Sequence, residues 1–135
     1  MFNVSFHTAY LIAALATFAV ELAAVWVVLR VKKRGAAPGR IVGAVFLANA
    51  ATHPLLWYIP YLFFPSAFSP GIIDIYTVSA ELLVFVVEAA IYWFVLAGRN
   101  AWTALALSAI ANALSLGFGF ILGKIFSLTG QTIML

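Results

Sequence analysis

The stretch from Ile72 to Leu96 constrains this chain most. It has the length and apolarity of a transmembrane helix, yet it contains two acids, Glu81 and Glu88. Their spacing is close to two helical turns, so both carboxyls lie on one helix face, roughly 10 Å apart along the axis. An acid in hydrocarbon is costly, and such residues face the interior of a helical bundle. The sequence therefore predicts a membrane bundle with a polar centre.

Composition supports the same class. The 135 residues are 66% hydrophobic and 8% charged, whereas a soluble domain averages about 25% charged residues. We predict an all-α integral membrane protein, a single domain of four transmembrane helices packed as two helical hairpins. The predicted helices span about residues 5–29, 41–64, 72–97 and 101–126.

The positive charge indicates topology rather than a nucleic-acid partner. Five of the seven cations lie between Arg30 and Arg40, in one short segment between two apolar stretches. By the positive-inside rule the loop from Lys32 to Arg40 is cytoplasmic, which places both termini on the non-cytoplasmic side. The expected location is a plasma membrane of prokaryotic type.

Several kinds of site are unsupported by the sequence. Cysteine is absent, which excludes disulfides, zinc–thiolate sites, iron–sulfur clusters and thiol chemistry. The His-Glu-x-x-His spacing of zinc enzymes is also absent, so no metal is predicted. The sequence indicates no particular cofactor.

Each predicted helix brings at least one polar side chain to a similar depth. The residues concerned are Glu21, Asn49, His53, Glu88, Asn112 and Ser115. Counted from the nearest cytoplasmic cation at ~1.5 Å per residue, they lie roughly 13–24 Å into a ~30 Å hydrocarbon core. Glu81 lies above this layer, towards the outside. We predict that these seven residues form a site for a ligand, a proton or a cation.

Helix 4 also carries a stripe of small and polar residues. Its members are Ser108, Asn112, Ser115, Gly119 and Gly123. Small residues let helices approach closely in lipid, so Gly119 and Gly123 form the candidate surface for a homo-oligomer. The two halves of the chain share a hairpin outline, but no repeat in the residues themselves is obvious.

The polar cluster has three interpretations. In the first, the acids are protonated or bonded to His53 and Asn112, and the network fixes helix register. In the second, Glu21, His53, Glu81 and Glu88 carry protons or bind a cation. In the third, the cluster is an active site with His53 or a carboxylate as base.

These interpretations give three expected functions. The first is transport or the handling of ions or protons, with the bilayer and a small ligand or cation as partners. The second is an intramembrane enzyme that acts on a lipid or another membrane-embedded substrate. The third is a non-catalytic accessory subunit of a membrane complex. Uptake into proteoliposomes distinguishes the first from the others.

The predicted topology has a direct test. A reporter fused after Arg34 is expected to behave as cytoplasmic, and one fused after Ser69 as external, because the basic loop stays inside. The opposite pattern would contradict the orientation and the depths calculated from it.

Overall fold

The computed structural model of the chain describes residues 6–63 and 70–128. In chain order its helices are α1 (Phe6–Val31), α2 (Pro38–Phe63), α3 (Pro70–Val95) and α4 (Ala101–Leu128). All four contain segments long and apolar enough to cross a membrane. The predicted all-α architecture is therefore confirmed, and each helix end lies within three residues of its predicted position.

A Schellman motif ends α1. Lys33 has a φ of 52°, and the Arg34 N–H donates to the Leu29 carbonyl over 2.9 Å. This arrangement satisfies carbonyls that the last helical turn leaves without partners. Pro38 begins α2, where its fixed φ and missing N–H suit the first helical position. The short turn makes α1 and α2 antiparallel neighbours.

The turn between α3 and α4 uses two residues with positive φ, Gly98 at 56° and Arg99 at 63°. Asn100 then caps α4, because its side-chain oxygen accepts a hydrogen bond from the Thr103 N–H over 2.9 Å. A cap of this kind typically stabilises a helix by about 1 kcal/mol. The second hairpin therefore turns as tightly as the first.

The four helices surround a central axis. Each packs against two neighbours in the cyclic order α1, α2, α3, α4 and back to α1. Among the described residues, no close backbone contact crosses between α1 and α3 or between α2 and α4. The space between opposite helices is therefore left to side chains.

Two arginines hold the hairpins together at the end with the short turns. The Arg34 guanidinium donates to the Ala97 carbonyl over 2.7 Å, and Arg40 donates to the Val95 carbonyl over 2.5 Å. Both acceptors are carbonyls at the end of α3, where cations suit the helix dipole. The loop after α1 thereby fixes the axial position of α3.

The apolar core occupies the half of the bundle next to these turns. It includes Val25, Leu29, Val45, Ala48, Leu107 and Ala111, each at most 1% exposed. Buried alanines lie on α2 and α4, and such small residues let the adjacent helices α1 and α3 approach closely. The outside of the bundle is also apolar, with Leu15, Phe46, Leu82 and Phe120 each at least 64% exposed. Apolar exposure on this scale is rare on soluble monomers.

Three sequence predictions concern Gly119, Gly123 and the outer loop, and the described structure does not confirm them. Gly119 is exposed, and a Cβ added there would meet no atom within 4 Å, so it makes no close helix contact inside the chain. Its role as an oligomer contact stays a prediction. The surroundings of Gly123 lie outside the part of the chain that the structure describes, as do residues 65–69 of the outer loop that the sequence predicts at 65–71. The last two residues of that segment, Pro70 and Gly71, begin α3 instead.

The packing predicts opposite effects for two substitutions on α4. Ala111→Leu adds volume at a fully buried position and is expected to lower the free energy of unfolding by about 1–3 kcal/mol. Gly119→Leu points into open space and is expected to leave the stability of the single chain unchanged. Thermal unfolding in detergent measures both effects. Equal destabilisation by the two variants would contradict this orientation of α4.

Candidate functional site

The first part of the site joins α1 to α2. Glu21 is 2% exposed and Asn49 8% exposed. The Asn49 amide nitrogen donates to Glu21 Oε2 over 2.6 Å and to the Val45 carbonyl, one turn back on α2, over 3.1 Å. Because both neighbours of that nitrogen are acceptors, it can only be the amide NH₂ group. The orientation of Asn49 is therefore fixed, with both donors used.

The second part joins α3 to α4 in the same way. Glu88 is 1% exposed, and its Oε2 accepts a hydrogen bond from the Asn112 amide nitrogen. That nitrogen also donates to the Ser108 carbonyl over 3.0 Å, which fixes its orientation as well. The Ser108 hydroxyl donates to the Phe85 carbonyl over 2.9 Å, adding a further link from α4 to α3.

Two hydroxyls complete the contacts between the hairpins. The Thr52 hydroxyl on α2 lies 3.5 Å from Glu88 Oε1 and donates to the Ala48 carbonyl over 2.9 Å. The Ser115 hydroxyl on α4 donates to the Asn112 carbonyl over 3.1 Å and also interacts with the Glu21 carboxyl. We call this set of six residues the polar ring: Glu21, Asn49, Thr52, Glu88, Asn112 and Ser115. It supplies hydrogen bonds at three of the four helix interfaces and, between α4 and α1, an electrostatic contact of Ser115 with Glu21.

The polar ring contains two acids and no base. The polar partners of Glu21 and Glu88 in the described chain are amides and hydroxyls, and the other charged groups that influence them are carboxyls, including Glu81. The arginines that hold the hairpins together bond to backbone carbonyls instead. Whatever neutralises this acid pair is therefore not a cationic side chain of the described residues.

His53 does not join the acids. It is 7% exposed and packs among aromatic rings towards the end of the bundle away from the short turns, with ring-centroid distances of 5.8 Å to Tyr10 and 6.4 Å to Trp57. No hydrogen bond in the described chain links it to Glu21 or Glu88, and its buried Nδ1 has no partner. His53 follows Asn49 by one helical turn along α2. It therefore lies further along the bundle axis than the polar ring, on the side away from the short turns, and we call this direction outward.

Tyr92 lies on the opposite side of the polar ring. It is fully buried, one turn after Glu88 on α3, and its hydroxyl has no hydrogen-bond partner. Both Glu88 and Glu21 lie within electrostatic range of this hydroxyl. A buried hydroxyl without a partner is costly and is commonly satisfied by an internal water.

Glu81 is half-buried, and its side chain makes no hydrogen bond within the described residues. It lies two turns outward of Glu88 and interacts with both acids of the polar ring only through charge. The structure therefore brings together five of the predicted site residues, Glu21, Asn49, Glu88, Asn112 and Ser115. It places Glu81 and His53 outside that contact set. Their roles in binding stay predictions.

The described residues of the site do not form a set of metal ligands. No group of three or more His, Asp or Glu side chains within the described chain is arranged to hold a metal ion. The amide groups of Asn49 and Asn112 present N–H donors to the glutamates, and these donors occupy carboxyl oxygens that a metal ion would need. The arrangement suits a hydrogen-bonded acid better than a metal site.

Thr52 and Tyr92 were not among the residues predicted for the site. Thr52 follows Asn49 by three residues, just as Ser115 follows Asn112, and this shared spacing was the signal available for it. Tyr92 follows Glu88 by four residues and so shares the helix face of the two acids, but its position near the end of the helix is equally typical of an aromatic residue at a membrane interface.

Comparison with known proteins adds no assignment. No protein-family model, curated protein or solved structure matches this chain.

The geometry predicts how Glu88 contributes to stability. Glu88→Leu leaves the Asn112 and Thr52 side chains without their partner and is expected to cost about 1–3 kcal/mol. Glu88→Gln keeps an acceptor for Asn112 and is expected to be nearly neutral. Glu81→Leu is the matched control, because Glu81 has no such partner, and is expected to cost less than Glu88→Leu. Denaturant unfolding in detergent measures all three, and equal losses at both positions would contradict the polar ring.

Proposed function

We propose that this chain is an integral membrane protein that moves protons across the bilayer, with Glu21 and Glu88 as the groups that carry them. The observation on which this rests is a pair of glutamates, 2% and 1% exposed, with no cationic side chain bonded to either in the described chain. Two neighbouring buried carboxylates cannot both stay ionised without a counter-charge. Protons or a bound cation must therefore neutralise the pair.

Protons fit the donor set better than a metal cation. Asn49 and Asn112 each direct an N–H at a carboxyl oxygen, and their orientation is fixed by a backbone carbonyl. A metal cation would need those oxygens free and the amide oxygens turned inward. The absence of a three-ligand cluster in the described residues points the same way.

Unpaired polar atoms on both sides of the polar ring support a route through it. His53 Nδ1 lies on the outward side and the Tyr92 hydroxyl on the inward side, and both are buried without partners. Waters at these two atoms would extend a hydrogen-bonded chain from the polar ring in both directions. Glu81, half-buried and further outward, fits an external approach to that chain.

The proposed setting is a plasma membrane of prokaryotic type, across which a proton gradient is available. The turns after α1 and α3 lie at one end of the bundle, held together by Arg34 and Arg40. Most of the cations of the chain lie at this end, so we propose that it is cytoplasmic and that both termini are outside. Charged headgroups then meet this end and lipid tails meet the apolar exterior.

Proton flux into proteoliposomes tests the proposal. A potassium gradient with valinomycin sets the membrane potential, and a trapped pH dye reports proton entry. The parent protein is expected to acidify the lumen, and Glu88→Gln and Glu21→Gln are expected to fall to the rate of protein-free vesicles, because an amide cannot release a proton. Tyr92→Phe is expected to slow the flux without abolishing it.

Thr77→Val provides the control, because Thr77 is exposed on α3 outside the polar ring. It is expected to match the parent. Flux that persists in both glutamine variants would exclude the acids as carriers. A flux that follows an imposed sodium gradient instead would replace the proton by a monovalent cation. Flux at the protein-free rate for the folded parent would leave the polar ring with a structural role.

A further inference from the structure

The two helices that carry the buried acids align with each other. Residues 13–29 of α1 match residues 80–96, which run to one residue past the end of α3, without gaps at an offset of 67 positions. Nine of the 17 pairs are identical: Ala13/Ala80, Leu15/Leu82, Phe18/Phe85, Val20/Val87, Glu21/Glu88, Ala23/Ala90, Trp26/Trp93, Val28/Val95 and Leu29/Leu96. Matches of alanine, leucine and valine are common in so apolar a chain. The matches of the glutamate and of the tryptophan five residues later are rarer, so these two pairs are the main evidence for a repeat.

The other two helices align as well. Ala48-Asn49-Ala50-x-Thr52 on α2 corresponds to Ala111-Asn112-Ala113-x-Ser115 on α4, at an offset of 63 positions. The first alanine of each motif is fully buried. Each asparagine donates to the carbonyl four residues before it and to the glutamate of its own hairpin. The sequence match is therefore also a match of hydrogen bonds.

The hydroxyls cross between the hairpins. Thr52 belongs to the first hairpin and faces Glu88 of the second, whereas Ser115 belongs to the second hairpin and faces Glu21 of the first. A twofold axis along the centre of the bundle, which exchanges α1 with α3 and α2 with α4, produces this exchange of partners. The cyclic packing order of the helices is the order that such an axis requires.

Each glutamate therefore meets the same two kinds of neighbour. One carboxyl oxygen accepts an N–H from asparagine. Each hydroxyl that faces a carboxyl from the other hairpin has one proton and two acceptors to choose from. For Thr52 these are the Ala48 carbonyl at 2.9 Å and Glu88 Oε1 at 3.5 Å, and for Ser115 they are the Asn112 carbonyl at 3.1 Å and the Glu21 carboxyl. We assign the proton to the nearer acceptor, the backbone carbonyl. What remains on the hydroxyl oxygen is acceptor capacity. One donor and one acceptor match the C=O and the O–H of a neutral carboxylic acid.

We propose that the chain is two copies of one helical hairpin and that the polar ring consists of two equivalent half-sites, each binding one proton. One half-site is Glu21 with Asn49 and Ser115, and the other is Glu88 with Asn112 and Thr52. This rests on the proposed function and deepens it, because the protein then carries two exchangeable protons. The Tyr92 hydroxyl, fully buried one turn from Glu88 and without a hydrogen-bond partner, is a further polar group beside this pair of half-sites.

The halves differ at a few polar positions around these shared contacts. Tyr92 corresponds to Val25, His53 to Leu116, and Glu81 to Ala14. These differences lie inward or outward of the polar ring and not within it. The symmetry therefore applies to the proton-binding contacts, while each residue of the approaches occurs in only one half, His53 in the first and Glu81 and Tyr92 in the second.

Infrared spectroscopy of the full-length protein tests the crossed assignment. Glu21→Gln leaves the Glu88 carboxyl band, and Glu88→Gln leaves that of Glu21. In the first background Thr52→Ala is expected to shift the remaining band and Ser115→Ala is not; in the second background the two effects are expected to reverse. Thr77→Ala is the control for both. Bands from other acids are common to each pair of spectra and cancel in the difference.

Proton counting gives a second measurement. The parent is expected to release two protons from the polar ring when titrated in detergent, and each glutamine variant is expected to release one fewer. The exchanged pair Thr52→Ser and Ser115→Thr, in one chain, is expected to keep both protons and normal unfolding, because each hydroxyl is retained. This variant separates loss of a contact from loss of the fold.

The outcomes distinguish this inference from the proposed function. Shifts that are not crossed, or a loss of both protons with either glutamine variant, would overturn the two half-sites whatever the flux measurements show. Crossed shifts with one proton lost per variant support the half-sites, even if proteoliposomes show no proton flux. In that case only the transport role would fail.

Discussion

The hydrogen bonds from asparagine amides to buried glutamates are the contacts on which the rest of this bundle depends. Lipid tails are as apolar as the core residues, so hydrophobic burial gives helices little reason to associate in a membrane. An unpartnered carboxyl or amide in the same place is costly. Separating α1 from α2 would expose Glu21 and Asn49 together, and separating α3 from α4 would expose Glu88 and Asn112. The polar ring thus makes the separation of the helices within either hairpin energetically costly.

Small residues make these bonds geometrically attainable. An asparagine side chain is short, so its helix must lie close to the glutamate it bonds. Fully buried alanines, Ala48 and Ala111, directly precede Asn49 and Asn112 and allow that approach. The core next to the turns and the arginine contacts to the end of α3 then set the axial position of each helix. Packing and hydrogen bonding therefore specify the same register, which is the consistency expected of a sequence with one fold.

The fold could be predicted from the sequence more completely than the site, because helices and contacts depend on different physical properties. Helix existence follows from length and apolarity, which are properties of one segment, and depth follows from counting residues. Contact depends in addition on the rotation of each helix and on side-chain direction. His53 shares a helix face with Asn49 but projects among Tyr10 and Trp57 instead of towards the acids. Thr52 alone resembles many threonines in apolar helices. Only the shared three-residue spacing of Asn49 to Thr52 and of Asn112 to Ser115 distinguishes it.

Twofold symmetry along the bundle axis has a consequence for direction. Such an axis exchanges the two hairpins without exchanging the two ends of the bundle, so equivalent half-sites can differ in what lies above and below them. The polar residues that break the repeat separate along this axis: Glu81 and His53 lie outward of the acids, and Tyr92 lies inward. A proton on Glu88 has Tyr92 one turn further along its own helix, whereas Glu21 has the apolar Val25 at that position. For the proposed proton transport, we therefore expect exchange at the end with the short turns to favour the Glu88 half-site, and a proton held by Glu21 to reach that end by way of Glu88 or the Tyr92 hydroxyl.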